Sequence, residues 1–220
     1  MSVFISATIF TPRPLIEFTW CSLSSVKIQP VIAKILKNAF DPCFPAPIEA
    51  WQQFADVCTV KHYAKDEVLK PAHDAEHYFH FIVNGCAGVF LWKENDYVCL
   101  DFGFENHFFG DYMSILTGQP NPLETVALEN SEMLRLTKTD YLQLGQTEIG
   151  SILMRAAAES SYVAKQQQQI DLLTKTAEQR YMELLQMHPD IVHRVAQKHL
   201  ASYLGITPQS FSRIRRNIME

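Results

Sequence analysis

Cysteine is too scarce and too scattered in this chain to organise it. Cys21, Cys43, Cys58, Cys86 and Cys99 are odd in number and form no Cys-x-x-Cys pair. That argues against a disulfide framework, a zinc finger or a cysteine-held iron–sulfur cluster, and it fits a reducing cytoplasm. Long apolar runs are missing too, so no segment is expected to enter a membrane. Residues 1–10 are apolar, but no basic residues precede the apolar run and Pro12-Arg13-Pro14 soon breaks it, a poor secretion signal. A Walker loop, a glycine-rich dinucleotide turn and a catalytic triad are all absent, so no enzyme activity is expected. Nor is there an excess of positive charge, since the net charge is −5.

That charge is unevenly spread. From Ile191 onward Arg194, Lys198, Arg213, Arg215 and Arg216 face a single acid, Glu220, a net +4 that leaves −9 for the rest. The basic stretch reads as two short helices with a tight corner. Leu200, Ala201 and Leu204 share one face of the first, and Gly205 is suited to the left-handed residue that closes a helix. Thr207 stands as N-cap with Pro208 at the first helical position. Phe211, Ile214 and Ile218 form a buried stripe, while Gln209, Arg213 and Arg216 share the opposite face. This is a helix-turn-helix whose second helix presents an amide and two guanidiniums. Arg can fork onto guanine, Gln can pair with adenine, and a helix fits the major groove. The expected partner is double-stranded DNA.

Upstream, Ile28 to Phe40 reads as a helix with Val31, Ile32, Ile35 and Leu36 as its stripe, closed by the Pro-rich stretch after Asp41. A second short helix follows over Ile48 to Phe54. Between Cys58 and Leu136, apolar segments cut by turn residues at intervals of about ten predict antiparallel strands. They fall near Cys58–Tyr63, Glu67–Lys70, Tyr78–Val83, Ala87–Trp92, Val98–Phe102, Glu124–Ala127 and Glu132–Leu136. Asn84-Gly85 carries a hairpin signal. Phe109-Gly110-Asp111-Tyr112 reads as a glycine turn entering a short helix, where exposed N–H groups can receive an anion.

From Thr137 the period is helical. Ile149, Ile152/Leu153, Ala156, Ser160, Val163, Gln167 and Ile170 alternate by threes and fours, a heptad seam of about three repeats. The seam's length and its small or polar members predict a helix paired with its own copy, a homodimer. Thr176-Ala177-Glu178-Gln179 is a capping box that restarts a helix after a hinge at 174–176. The expected fold is α+β. Residues 1–28 are an N-terminal extension without an assigned role, 29–137 an antiparallel β-roll of jelly-roll type, 138–173 the dimerisation helix, and 174–220 the helix-turn-helix domain.

A β-roll, a dimer helix and a terminal helix-turn-helix in that order resemble the Crp/Fnr family of bacterial transcription regulators, over about Ile48 to Ile218. The resemblance rests on Phe109-Gly110-Asp111, on Ala177-Glu178-Gln179-Arg180-Tyr181, and above all on Ala201 to Arg215. It implies that Gln209, Ser210 and Arg213 meet base edges or phosphates, within a DNA-contacting set that includes Lys198, Thr207, Arg215 and Arg216. It also implies RNA polymerase as a partner. The cyclic-nucleotide-type pocket it implies would involve Phe109, Gly110, Asp111, Tyr112, Glu124 and Thr125. Cyclic-nucleotide binders of the family carry Gly-Glu before the short helix and Arg-Ser/Thr after it. Here Gly110-Asp111 matches the first, and Asn121 to Thr125 offers an acid where the second needs a cation. A buried phosphate without counter-charge is costly, so tight cyclic AMP binding is not expected and the effector is unidentified. The chain stops soon after the recognition helix, so the β-wing of many winged relatives is not expected. The competing reading is a cupin-like metal-binding β-roll protein or enzyme built on His73, His77 and His80, with an incidental helical hairpin. The odd separation of His77 and His80 at a strand start, and the missing His-x-His pair, favour no metal.

Overall fold

The computed structural model describes residues 28–42, 44–93 and 96–219. The extension over 1–27, with Cys21, and also Cys43 and Glu220 lie outside the described residues. Helix α1 (Gln29–Phe40) has Pro30 in its first turn and buries Ile32, Leu36 and Phe40. It packs on α2 (Ile48–Val57), where Phe40 stacks on Trp51 at 5.2 Å between ring centroids. Rings this close add to the stabilisation from burial alone. The pair closes one end of the β-roll.

The roll is two four-stranded antiparallel sheets. One runs β1 (Thr59–Tyr63), β8 (Ser131–Thr137), β3 (Tyr78–Asn84), β6 (Phe108–Phe109). The other runs β2 (Val68–Lys70), β7 (Leu123–Ala127), β4 (Ala87–Lys93), β5 (Asp96–Gly103). Ile82, Val89, Phe109 and Met133 fill the space between them. All seven expected strands are present, and β6 is additional; two residues are too few for alternation to reveal. The Asn84-Gly85 hairpin is a correction. β3 and β4 belong to different sheets, and Gly85, at φ +105°, carries the chain across from one to the other. A Cβ there would sit 2.2 Å from Ser131 Oγ, so the glycine serves a close crossing and not a two-residue turn.

Helix α3 (Tyr112–Thr117) interrupts the roll between β6 and β7. The single helix expected over 138–173 is two helices. α4 (Lys138–Leu144) packs on the roll; Gly145-Gln146-Thr147 breaks the run; Thr147 then caps α5 (Glu148–Thr174) by accepting from the Gly150 N–H at 3.1 Å. The capping box at Thr176–Gln179 opens α6 (Ala177–Met187) with both reciprocal bonds made. After α7 (Ile191–Arg194), α8 (Gln197–Tyr203) and α9 (Pro208–Met219) complete the chain.

The C-terminal helices share one core with the roll: Tyr181, Leu184, Leu200, Leu204 and Phe211 cluster with Phe90, Cys99, Phe102 and Phe104. β5 is an edge strand, and α8 covers it. The Cys99 N–H donates to Ser202 Oγ at 2.9 Å, Tyr203 packs on Phe102 at 5.1 Å, and the Tyr97 hydroxyl meets His199 Nδ1 at 3.1 Å. Covering an edge in this way satisfies backbone groups that would otherwise invite foreign strands. Arg194 adds a bidentate pair to Glu105 (2.6 and 3.0 Å) and a bond from Nε to Glu129 at 3.0 Å.

Candidate functional site

The corner between α8 and α9 is a Schellman motif. The Ile206 N–H donates to the Ala201 carbonyl and the Gly205 N–H to that of Ser202, both at 3.0 Å, with Gly205 at φ +67°. Arg180 Nη2 donates to the Leu204 carbonyl at 2.7 Å and holds the corner from behind. Thr207 Oγ1 accepts from the Ser210 N–H at 3.1 Å and so caps α9. Phe211 is fully buried edge-on against Tyr181, 5.0 Å away, and Ile214 and Ile218 are half-buried beside it. Rotation of α9 is thereby fixed. Gln209, Arg213 and Arg216 face water, as does Lys198 at the start of α8; Ser210 and Arg215 are half-buried, and Thr207 is engaged in its cap.

α5 has two faces. Toward the roll, Ile149, Leu153 and Met154 pack on the aromatic end of the core, Ser161 is buried, Lys165 pairs with Asp101, and Gln168 reaches the Leu100 carbonyl. Away from it, Ile152, Val163, Ile170 and Leu173 lie along one exposed line, Val163 at 66% and Leu173 at 81% exposure. Of the expected seam, then, Ile149 and Leu153 are drawn into their own domain. Ile152, Ser160, Val163, Gln167 and Ile170 are exposed and Ala156 is half-buried. Leu173, one step past the expected end, extends the stripe. Apolar side chains lined up in water on a 27-residue helix mark a surface waiting to be covered.

A buried polar cluster in the roll holds a residue the sequence did not flag. Lys70 is 2% exposed, and its Nζ donates to Asp111 Oδ2 (2.9 Å), Asn121 Oδ1 (2.9 Å) and the Leu123 carbonyl (2.7 Å). The register of β2 against β7 shifts between Val68 and Lys70, leaving Val68 exposed while Lys70 is inside. A bulge of this kind re-aims a side chain that alternation would place elsewhere. The segment Asn121 to Thr125 supplies no cation of its own, and Lys70 reaches this place from β2. Asp111 also caps α3 by accepting from the Ser114 N–H, while Asn121 Nδ2 and Thr125 Oγ1 are buried without partners. Gly110, Asp111 and Thr125 converge here with Lys70, Glu76 and Asn121. The other three residues expected in the pocket lie elsewhere. Phe109 fills the interior between the sheets, and Tyr112 joins an aromatic cavity under α5. Glu124 points out of the roll, because on β7 it alternates with the buried Leu123 and Thr125.

Glu76 completes the cluster, its carboxylate accepting from the backbone N–H groups of His77, Tyr78 and Asp111. Burial pushes its pKa up to about 7, with hydrogen bonds from Tyr78 and Asp111 opposing. The folded chain therefore holds this proton between pH 4.5 and 7 when the unfolded chain has released it, so Glu76 makes stability fall as pH rises through that window. Glu76→Gln should remove the slope. Urea midpoints at several pH values should show the wild type losing stability relative to the variant from pH 5 to 7.5, by at most about 1.4 kcal/mol per unit for one proton. His80 is buried, 2.9 Å from the Tyr63 hydroxyl, and burial pulls its pKa down to about 3. His73 and His77 are exposed, and among the described residues no three His, Cys, Asp or Glu side chains are grouped to hold a metal.

Residues 60–148 match the cyclic nucleotide-binding domain family. The fold is similar to that of FixK2 from Bradyrhizobium japonicum, with 18% identity over 74% of this chain and 85% of that one and a TM-score of 0.64. It is similar also to the c-di-GMP-responsive global regulator CLP of Xanthomonas campestris (13% identity, 79% and 92% covered, TM-score 0.61). A CooA mutant from Carboxydothermus hydrogenoformans gives 15% identity, 74% and 77% covered, and a TM-score of 0.58. No curated protein matches the chain in sequence.

Proposed function

We propose, from the premise that this chain has the Crp/Fnr fold built on a cyclic nucleotide-binding domain, that it is a homodimeric, sequence-specific DNA-binding transcription regulator acting on RNA polymerase. The observation that carries the reading is α9. Its apolar side is locked by Phe211, and Gln209, Arg213 and Arg216 project together into water. The amide and the guanidiniums match base edges in the major groove, and Lys198 and Arg215 suit flanking phosphates. The exposed stripe of α5 is the seam that would pair two such helices for a two-fold site.

Cyclic AMP is not the effector in this reading. A lysine ammonium has three N–H donors, and those of Lys70 go to Asp111, Asn121 and Leu123. The pocket's positive charge is already neutralised, so a cyclic phosphate would have to break a buried ion pair to gain one.

Arg213→Ala tests the DNA reading. With a duplex selected from a random pool, the substitution should cost about 1–3 kcal/mol of binding and relax preference at one position. The melting temperature should stay unchanged, because Arg213 is exposed. Wild-type protein without salt-dependent affinity for any duplex would contradict the reading.

A further inference from the structure

Beneath the N-terminal half of α5 lies a cavity in which seven elements meet. Its walls are the rings of Phe40, Trp51, Phe79, Phe108 and Tyr141, closed on the α5 side by Met154. The rings contact one another in stacked and tilted pairs, Phe79 with Tyr141 at 4.6 Å and Phe79 with Phe108 at 5.1 Å. No charged side chain lines it. Its volume is about 30 Å³, well below the roughly 150 Å³ of an engineered cavity that admits benzene. Met154, unbranched and with three rotatable bonds, is the part of the wall able to yield.

One of the residues lining it carries an unsatisfied polar group. Trp51 is 1% exposed, and its indole Nε1–H, a donor only, has no acceptor. A buried donor left unpaired is unfavourable, and buried Trp N–H groups ordinarily find a partner. The Tyr141 hydroxyl, by contrast, donates to that of Tyr112 at 3.3 Å. We propose that this cavity is a binding site for a neutral, single-ring aromatic compound carrying one hydrogen-bond acceptor. The ring faces receive the aromatic body, the absence of charged walls selects a neutral molecule, and the acceptor takes the Trp51 N–H. Entry moves Met154 and so bears on α5 between the roll and the exposed stripe. The site is separate from the Lys70 pocket and stands whether or not the chain binds DNA.

Acetophenone and ethylbenzene, nearly the same shape but only the first with a carbonyl, serve as probes of the full chain. Acetophenone should shift the Trp51 indole N–H resonance downfield, whereas ethylbenzene should enter without that shift. Trp51→Phe should weaken acetophenone by roughly five- to tenfold, the worth of one neutral hydrogen bond, and leave ethylbenzene within about twofold. Ala157→Phe, on the α5 wall, should exclude both. The proposal is overturned if neither probe binds, if both move the indole resonance alike, or if Ala157→Phe changes nothing, which would mean partition onto surface patches. Should either variant fail to fold, the wild-type comparison of the two probes at the indole resonance decides.

Discussion

Lys70→Met protein is expected to unfold about 3–5 kcal/mol more easily than the parent, a large part of a small protein's stability. The methionine fills much of the space that the lysine stem occupies, so packing is largely kept and charge is what changes. Asp111 is fully buried, and its carboxylate would keep the Ser114 cap but lose the ammonium 2.9 Å away. Asn121 Oδ1 would keep only the Leu123 N–H. The cost is that of a buried charge without a partner, not the net worth of the ion pair. Lys70→Met combined with Asp111→Asn should therefore recover most of the loss, since the amide can still cap α3. Urea denaturation of the three proteins measures this. A single variant within about 1 kcal/mol of the parent would mean that water reaches Asp111 and screens the pair.

Val163→Asp with Ile170→Asp should convert a dimer into monomers. If the exposed stripe of α5 packs on its copy, each of these side chains is buried in both subunits. Fully burying a Val or Ile side chain stabilises by about 1.5–3 kcal/mol; with Val163 66% and Ile170 50% exposed in the single chain, four such losses amount to roughly 3.5–7 kcal/mol, or about three to five decades in Kd. Like charges meeting across the two-fold axis add to that. The fold of the single chain should survive, because both residues lie on the face of α5 away from the roll. Sedimentation read alongside thermal melting checks both halves: the mass should halve while the melting transition stays cooperative. A parent that sediments as a monomer at high concentration would remove the seam from the account.

Period and punctuation made the outer plan legible. The strands had alternation and turn residues, α6 had its capping box, and the α8–α9 corner had Gly205, Thr207 and Pro208 in the order that a Schellman turn followed by a capped helix needs. Seven strands and both helices of the C-terminal pair followed from those signals. What escaped depends on contacts between distant segments. Nothing in Val68-Leu69-Lys70-Pro71 announces that a bulge turns the lysine inward. Gly85 reads as a hairpin glycine until Ser131, 46 positions on, is seen pressed against it. Glu124 sits beside the inward-facing Thr125 in sequence, and one step of pleat puts it on the other side of the sheet. The docking of Ser202 and Tyr203 on β5 likewise had no local signature, since a serine and a tyrosine on a short helix suit many surroundings.

The central claim is that two copies of α9, joined through α5, read one duplex. Selection of bound sequences from a random duplex pool by the full-length protein tests it most directly. The account predicts enrichment of an inverted repeat whose half-sites are centred about one helical turn, 10–10.5 base pairs, or a multiple of that apart, with the preference weakened at the same position in both halves by Arg213→Ala. Enrichment of a lone half-site, or no enrichment above the input pool, would contradict it.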